Sequence, residues 1–562
     1  MVNLDSKKTE DLLRFFVLFA ALILANMLGD RFFFRADLTE EQRYTINEAT
    51  KELLTSLEDP VYVEVYLEGE FPSGFQRLQR SIRETLEEFR AYAGDNIQFK
   101  FVDPNLAASA SGRQEFYQRL ARLGIQPTNL YDTEDGGRTE KLIFPGALVA
   151  YGGEETGVLL LKGNQGASPE ERLNQSVEGL EYELATAIRK VTGGSKPRIG
   201  WLQGHGESDS ISYQGVQEVL QEFYRLDKAD LTESENLLGY DAIIMAKPRR
   251  AFNRDDRYKL DQYVMNGGNL LMFLDGLKVE EDSLNRESYL AFPQDLQLRN
   301  MLFRYGVRIN EDLIQDLNAA PFPVVTGYMG NQPQIRLLPW PFYPLMNRYS
   351  NHPITRNLDA VLGRYVSSVD TVKAEGITKT PLIYTSQYTR VLPAPVEVSY
   401  NSMRRDMQPE SFQDPAQPVA WLLEGPFTSS FRNRILPQVA NSRSYRETGE
   451  PAKILVTSDG DLLASQLSPR TRQRVPLGVD PYTQTDFAND DFLLNALAYM
   501  LDEDGLIAAR NKRISIRPLD APEVEESALK WQLFNLLTPV IIVVLFGVIR
   551  YFYRRNKYAT FK

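Results

Sequence analysis

Two short stretches gather side chains that could do chemistry. Leu202-Gln203-Gly204-His205-Gly206-Glu207 closes the apolar run that begins at Arg198, and Ser458-Asp459-Gly460-Asp461 follows the apolar run Ile454 to Val456. Imidazole and carboxylate two positions apart could serve as an acid/base pair or as half of a metal site. The aspartates Asp459 and Asp461 could hold a hard cation. Each stretch also has a plainer reading. Gly204 and Gly206 make a tight turn in which His205 packs or hydrogen-bonds locally, and Asp-Gly-Asp is ordinary turn chemistry at a strand end. A lone triplet of this kind lacks the other positions of a calcium loop. Were a ligand to bind, Gly204, His205, Gly206, Glu207, Ser458, Asp459 and Asp461 would line its cleft, because open α/β sheets bind ligands at the carboxyl ends of their strands.

Composition removes most other chemistry. The 562 residues include no cysteine and two histidines, His205 and His352. Thiol catalysis, Cys-ligated zinc, iron–sulfur clusters and disulfides are excluded, and a three-histidine metal site cannot be built. Sixty-three basic against 75 acidic side chains give a formal charge of −12, the wrong sign for coating nucleic acid, and no nucleic-acid partner is expected. There is no GxxxxGK[ST] loop, so the chain should not hydrolyse ATP itself, and Gly193-Gly194 and Gly267-Gly268 lack the GxGxxG spacing of a dinucleotide site. The expectation is a non-enzymatic chain with no catalytic residues, no cofactor and no metal. Two alternatives stay open: a ligand receptor with its cleft at the two strand ends, and a metal-assisted envelope hydrolase using His205, Glu207 and Asp459.

The elements that must position these residues are α/β throughout. Val61, Val63, Val65 and Leu67 alternate with polar partners as one face of a strand, Phe75, Leu78, Ile82, Leu86 and Phe89 recur at helical spacing, and Ile97, Phe99 and Phe101 return as a strand. This β-α-β unit is thioredoxin-like in layout, without redox cysteines. A hairpin is expected over 147–161, and Ser168-Pro169-Glu170-Glu171 is a capping box that opens a helix with the stripe Leu173, Val177, Leu180, Leu184, Ile188 and Val191. Past the Gly-Gly-Ser-Lys-Pro break, the runs 198–202, 242–246, 270–274 and 454–456 are nearly all apolar, as in strands covered on both faces. Helices over 213–224 and 255–264 separate the first three. A doubly wound α/β domain with a long insertion is predicted. Trp340-Pro341-Phe342-Tyr343-Pro344, in that insertion, suits either an exposed partner surface or a packed core.

Two apolar segments bracket this body. Residues 12–28 are apolar apart from Arg14 and Asn26 and cover about 25 Å as a helix, a near match to a ~30 Å hydrocarbon core. No small-residue cleavage site follows, so a retained membrane helix is expected rather than a cleaved signal. Residues 531–549 form a second span, with Arg550, Arg554, Arg555, Lys557 and Lys562 beyond it and Trp531, Tyr551 and Tyr553 at its borders. The positive-inside rule puts both termini in the cytoplasm and the body in the periplasm. The predicted layout is a cytoplasmic N-terminus (1–11), a transmembrane helix (12–29), a first periplasmic α/β domain (30–192), a second in two parts (198–281 and 418–520) around an insertion (282–417), a transmembrane helix (531–549) and a basic cytoplasmic tail (550–562).

Several stretches together carry a family resemblance: DLTEEQRYTINEATKELL from Asp37, VEVYLEGEFPSGFQRL from Val63, NQSVEGLEYELATAIRK from Asn174, KPRIGWLQGHGE from Lys196, YDAIIMAKP from Tyr240, LDQYVMNGGNLLMFLD from Leu260, FRYGVRINEDLIQD from Phe303, NHPITRNLD from Asn351 and NDDFLLNALAYMLD from Asn489. Nearly the whole chain resembles the gliding-motility-associated ABC transporter auxiliary subunits, the GldG family of Bacteroidota, whose α/β region is similar to a domain shared with intraflagellar transport proteins. The resemblance implies a non-ATPase, substrate-binding-like subunit in the bacterial inner membrane. Its implied partners are an ABC permease subunit and a separate ATPase subunit; the two apolar segments add membrane lipid as a partner, and their entry into one body adds the expectation of a periplasmic component that receives the permease's motion. It implies no catalytic residues.

Overall fold

The computed structural model describes residues 13–24, 45–106, 110–132, 139–161, 168–193, 196–207, 211–234, 236–280, 289–330, 332–399, 408–439, 444–469, 471–502, 505–511 and 521–558. The chain divides into two units, Met1–Arg513 and Ile514–Lys562.

The first unit begins with a four-stranded sheet in the order Ile97–Phe101, Val61–Val65, Gly146–Tyr151, Glu154–Leu159, parallel in its first pair and antiparallel in the other two. Val61, Val63 and Val65 are buried while Tyr62 between them is exposed, so the period-2 pattern chooses the covered face. The covering helices are Ser73–Ala93, which buries Leu78, Ile82, Leu86 and Phe89, and Pro169–Thr192, which buries Leu173, Leu180, Leu184, Ile188 and Val191 in the same core. Ser168 caps the second helix as its sequence dictates: its hydroxyl accepts from Glu171 N at 3.2 Å and Pro169 takes the first helical position.

The second sheet has eight strands, in the order Arg348–Tyr349, Thr378–Tyr384, Pro418–Thr428, Thr448–Thr457, Asn269–Phe273, Ala242–Ala246, Arg198–Gln203, Arg225–Asp230. From Thr448–Thr457 onward neighbouring strands are parallel, and the first four pair antiparallel. Ile243, Met245, Leu270 and Met272 pack with helices Arg254–Met265 and Arg299–Tyr305. Ile244, Ala246, Leu271 and Phe273 point to the other face, against helices Ile211–Phe223 and Asn489–Met500. Burial on both faces is why these strands carry no alternation. Two features of this sheet have no apolar signature. Arg225–Asp230 is an edge strand of mixed polarity, and the antiparallel edge includes Arg348–Tyr349 and Thr378–Tyr384, both within the stretch expected as an insertion. Trp340 and Phe342, on the long strand Gln332–Met346, are fully buried in a separate aromatic and aliphatic core, so the packed reading of that cluster holds.

The second unit contains one continuous helix, Ala521–Tyr558, in which an 18-residue window within Ser527–Asn556 has a mean hydropathy of 2.3, with its apolar side chains exposed. It is the one helix among the described residues long and apolar enough to cross a membrane. Of the first expected span, Leu13–Leu24 is an apolar helix shorter than the ~20 residues that crossing requires. Residue 12 and residues 25–29 of that span, like the cytoplasmic segment 1–11, lie outside the described residues.

Candidate functional site

Parallel strands that share a sheet end their runs side by side, so the residues following them meet whatever their distance in sequence. Lys247 follows Ala242–Ala246, Asp275 comes two residues after Asn269–Phe273, and Ser458-Asp459-Gly460-Asp461 follows Thr448–Thr457. One carboxyl oxygen from each of Asp275, Asp459 and Asp461 lies within 4.8 Å of the other two. The Lys247 ammonium enters this cluster, 3.2 Å from Asp275 Oδ2 and hydrogen-bonded to Asp461 Oδ2. The backbone holds the acids in place: Gly460 N donates to Asp275 Oδ1, Asp461 N to Asp459 Oδ1 and Arg364 N to Asp459 Oδ2, each at 2.8 Å. Lys247 itself sits at φ 47°, a left-handed conformation that a residue with a Cβ adopts only under constraint from its surroundings.

Electrostatics divides these groups into distinct states. Burial and the neighbouring Asp461 push Asp459 up to about 8, so this carboxyl keeps its proton at neutral pH. Burial also raises Asp275, against the pull of Lys247. Burial would raise Asp461 too, but Lys247 and Arg364 outweigh it and hold Asp461 below the usual aspartate value. Desolvation works against the charge on Lys247, and Asp275 and Asp461 overcome it, leaving the ammonium firmly protonated. Above the cluster opens a cleft of about 500 Å³ lined by Tyr213, Lys247, Arg249, Asp275, Arg364 and Asp461, among others. Chemically this is a floor of compensated charge beneath a rim carrying arginine, suited to orienting a polar ligand.

The other predicted stretch lies elsewhere. Two strands, Ala242–Ala246 and Asn269–Phe273, separate Arg198–Gln203 from Thr448–Thr457, and Gly204 to Glu207 do not join the acid cluster. His205 is buried, its ring stacked on Phe252 with centroids 3.8 Å apart at 11°. Its Nε2 is 3.0 Å from Asp256 Oδ2, and Asn253, the N-cap of Arg254–Met265, holds the same oxygen through Nδ2 at 2.6 Å. Glu207 folds back to accept from His205 N at 2.6 Å, and burial raises its carboxyl above the ordinary value. Gly204 and Gly206 take φ of 113° and 78°, the turn that brings the His205 carbonyl to Arg249 N and Arg250 N, both at 2.8 Å. Ser458 is buried too, its hydroxyl donating to the Ser367 carbonyl. The structure therefore brings Asp459 and Asp461 together, adds Lys247 and Asp275, and keeps His205 and Glu207 in a local network of their own.

Comparison with known proteins places residues 196–496 in the family described as an ABC-type uncharacterized transport system, and residues 40–150 match a domain of unknown function. An uncharacterized protein of Borreliella burgdorferi is 20% identical over 413 residues, 71% of this chain and 74% of that protein. Among solved structures, the mmIFT52 N-terminal domain is similar at 12% identity with a TM-score of 0.30, covering 54% of this chain and 97% of that domain.

Proposed function

The chain belongs to the family of ABC-type uncharacterized transport system proteins, as an auxiliary component, and on that premise we propose that it is a membrane-anchored, non-enzymatic accessory subunit held beside a permease and a separate ATPase. The observation that carries this reading is the helix Ala521–Tyr558, exposed and apolar over Ser527–Asn556, on a chain whose family serves membrane transport. Arg550, Arg554 and Arg555 at its C-terminal end favour a cytoplasmic tail by the positive-inside rule. With the 12–29 segment as a second span, both termini lie in the cytoplasm and the body in the periplasm. The motif resemblance supports the gliding machinery as the setting, with ATP-driven motion of the permease passed through the body to a periplasmic component. In this reading residues 45–192 are a thioredoxin-like scaffold without redox chemistry, and 196–502 a doubly wound domain. Purification of the full chain from membranes in mild detergent tests the proposal: permease and ATPase should accompany it in constant ratio, and a chain recovered without them sinks it.

The cleft over Lys247 favours a second reading, a ligand receptor at the strand ends. A ligand at 100 times its dissociation constant adds ~2.7 kcal/mol to stability. A thermal-shift screen of the full chain against small polar metabolites separates the two readings, since a scaffold subunit shows no hit that Lys247→Met abolishes.

A further inference from the structure

The apolar stretch of Ala521–Tyr558 is not uniformly apolar. Gln532 and Asn535 carry exposed amide side chains inside it, whereas the Thr538 hydroxyl is satisfied by its own helix, donating to the Phe534 carbonyl at 2.6 Å. Pro539 lies within the helix and has no N–H, so the carbonyl of Asn535, four residues earlier, receives no helical hydrogen bond. Asn535 thus presents two amide donors, an amide acceptor and a bare backbone carbonyl at one point on the helix. Hydrocarbon tails can satisfy none of them.

Spacings of three and four residues put Gln532, Asn535, Pro539, Val543, Phe546, Arg550 and Arg554 on one face. That face decides what can cover it. A second copy of this chain, inserted with the same orientation, would set Arg550 and Arg554 against the same two cations of its neighbour, and like charges at that distance repel. A different helix need not carry that charge. Resting on the accessory-subunit reading above, we propose that Asn535 docks a transmembrane helix of the permease, one that offers a hydrogen-bonding side chain at the depth of Asn535 and no basic residue opposite Arg550.

The test uses the full-length chain co-expressed with the permease and ATPase of its transporter. A photo-crosslinking residue at position 535 should capture the permease, and one at Ile541, on the opposite face, should not. Interhelical hydrogen bonds in membranes correspond to about a threefold to fifteenfold change in association. Asn535→Leu should lower the co-purified permease by that factor, and Asn535→Gln, which keeps the amide, should retain it. Capture of a second copy of the chain or of its own N-terminal segment from position 535, or full permease recovery with Asn535→Leu, overturns the docking face while leaving the accessory-subunit reading intact. A wild-type chain that brings down no permease overturns both.

Discussion

The Lys247 ammonium lies 3.2 Å from Oδ2 of Asp275, across the carboxyl ends of two adjacent parallel strands. Both side chains are largely buried, and Asp461 takes the same ammonium from the other side. Such a cation is hard to remove, because the acids it compensates stay behind. Lys247→Met should destabilise the protein by about 3–5 kcal/mol, read as a lower denaturation midpoint of the purified full chain. A change under 1 kcal/mol would mean that the carboxyls do not depend on it.

Stability should fall as pH rises toward mild alkali. Burial and acidic neighbours push Asp459 to about 8 and Asp490 to about 7, so the folded state holds protons that the unfolded chain has already released above the ordinary aspartate value. Each such group removes up to about 1.4 kcal/mol per pH unit between that value and its own. His352 works the other way: burial lowers it to about 4, so stability rises as pH climbs from there toward 6.5. The two trends oppose one another in that lower window, so the decline is steepest between about 6.5 and 7 and eases above that, where Asp459 alone still holds its extra proton. Denaturation midpoints from pH 5 to 9 check the profile, and Asp459→Asn should flatten its upper part.

Gly460 is a purely steric requirement of the same cluster. Its φ of −76° suits any residue, but an added Cβ would stand 2.7 Å from Lys247 Cβ and 2.9 Å from Asp275 Oδ1. Gly460→Ala should cost about 1–3 kcal/mol through overpacking. Gly179, inside Pro169–Thr192, has open space where its Cβ would go, so Gly179→Ala should stabilise by about 0.5–1 kcal/mol. Paired unfolding curves of the two variants give opposite signs or refute the packing described.

His205 should prove structural in its effect. His205→Ala removes the stack on Phe252 and the contact to Asp256, and should cost about 2–4 kcal/mol. His205→Phe restores the ring without the polar contact and should recover roughly half of that. Permease co-purification at a temperature where both variants stay folded should match the wild type, and a selective loss there would give His205 a direct role.

Legibility in the sequence followed local physics. The runs 242–246 and 270–274 betrayed covered strands because both faces are apolar, and Ser168 announced its helix because capping is settled within three residues. Arg225–Asp230 gave no such signal, since an edge strand needs no apolar run. Lys247 and Asp275 each directly follow an apolar run, yet nothing local says that their strands are neighbours, or that Thr448–Thr457 lies beside them. The split of the two glycine-bearing stretches into separate networks has the same origin: strand order is a long-range property, and the interposed strands are invisible from either stretch alone.

The pairing of Leu270 with Ile454 joins positions 184 residues apart, as does the bond from Lys453 N to Asn269 Oδ1. A chain synthesised from its N-terminus therefore carries Asn269–Phe273 with one naked hydrogen-bonding edge until the later strand has been made. Over that interval the half-made sheet is a template for stray strands, and its safe completion calls for a holding chaperone or for synthesis that outpaces mispairing.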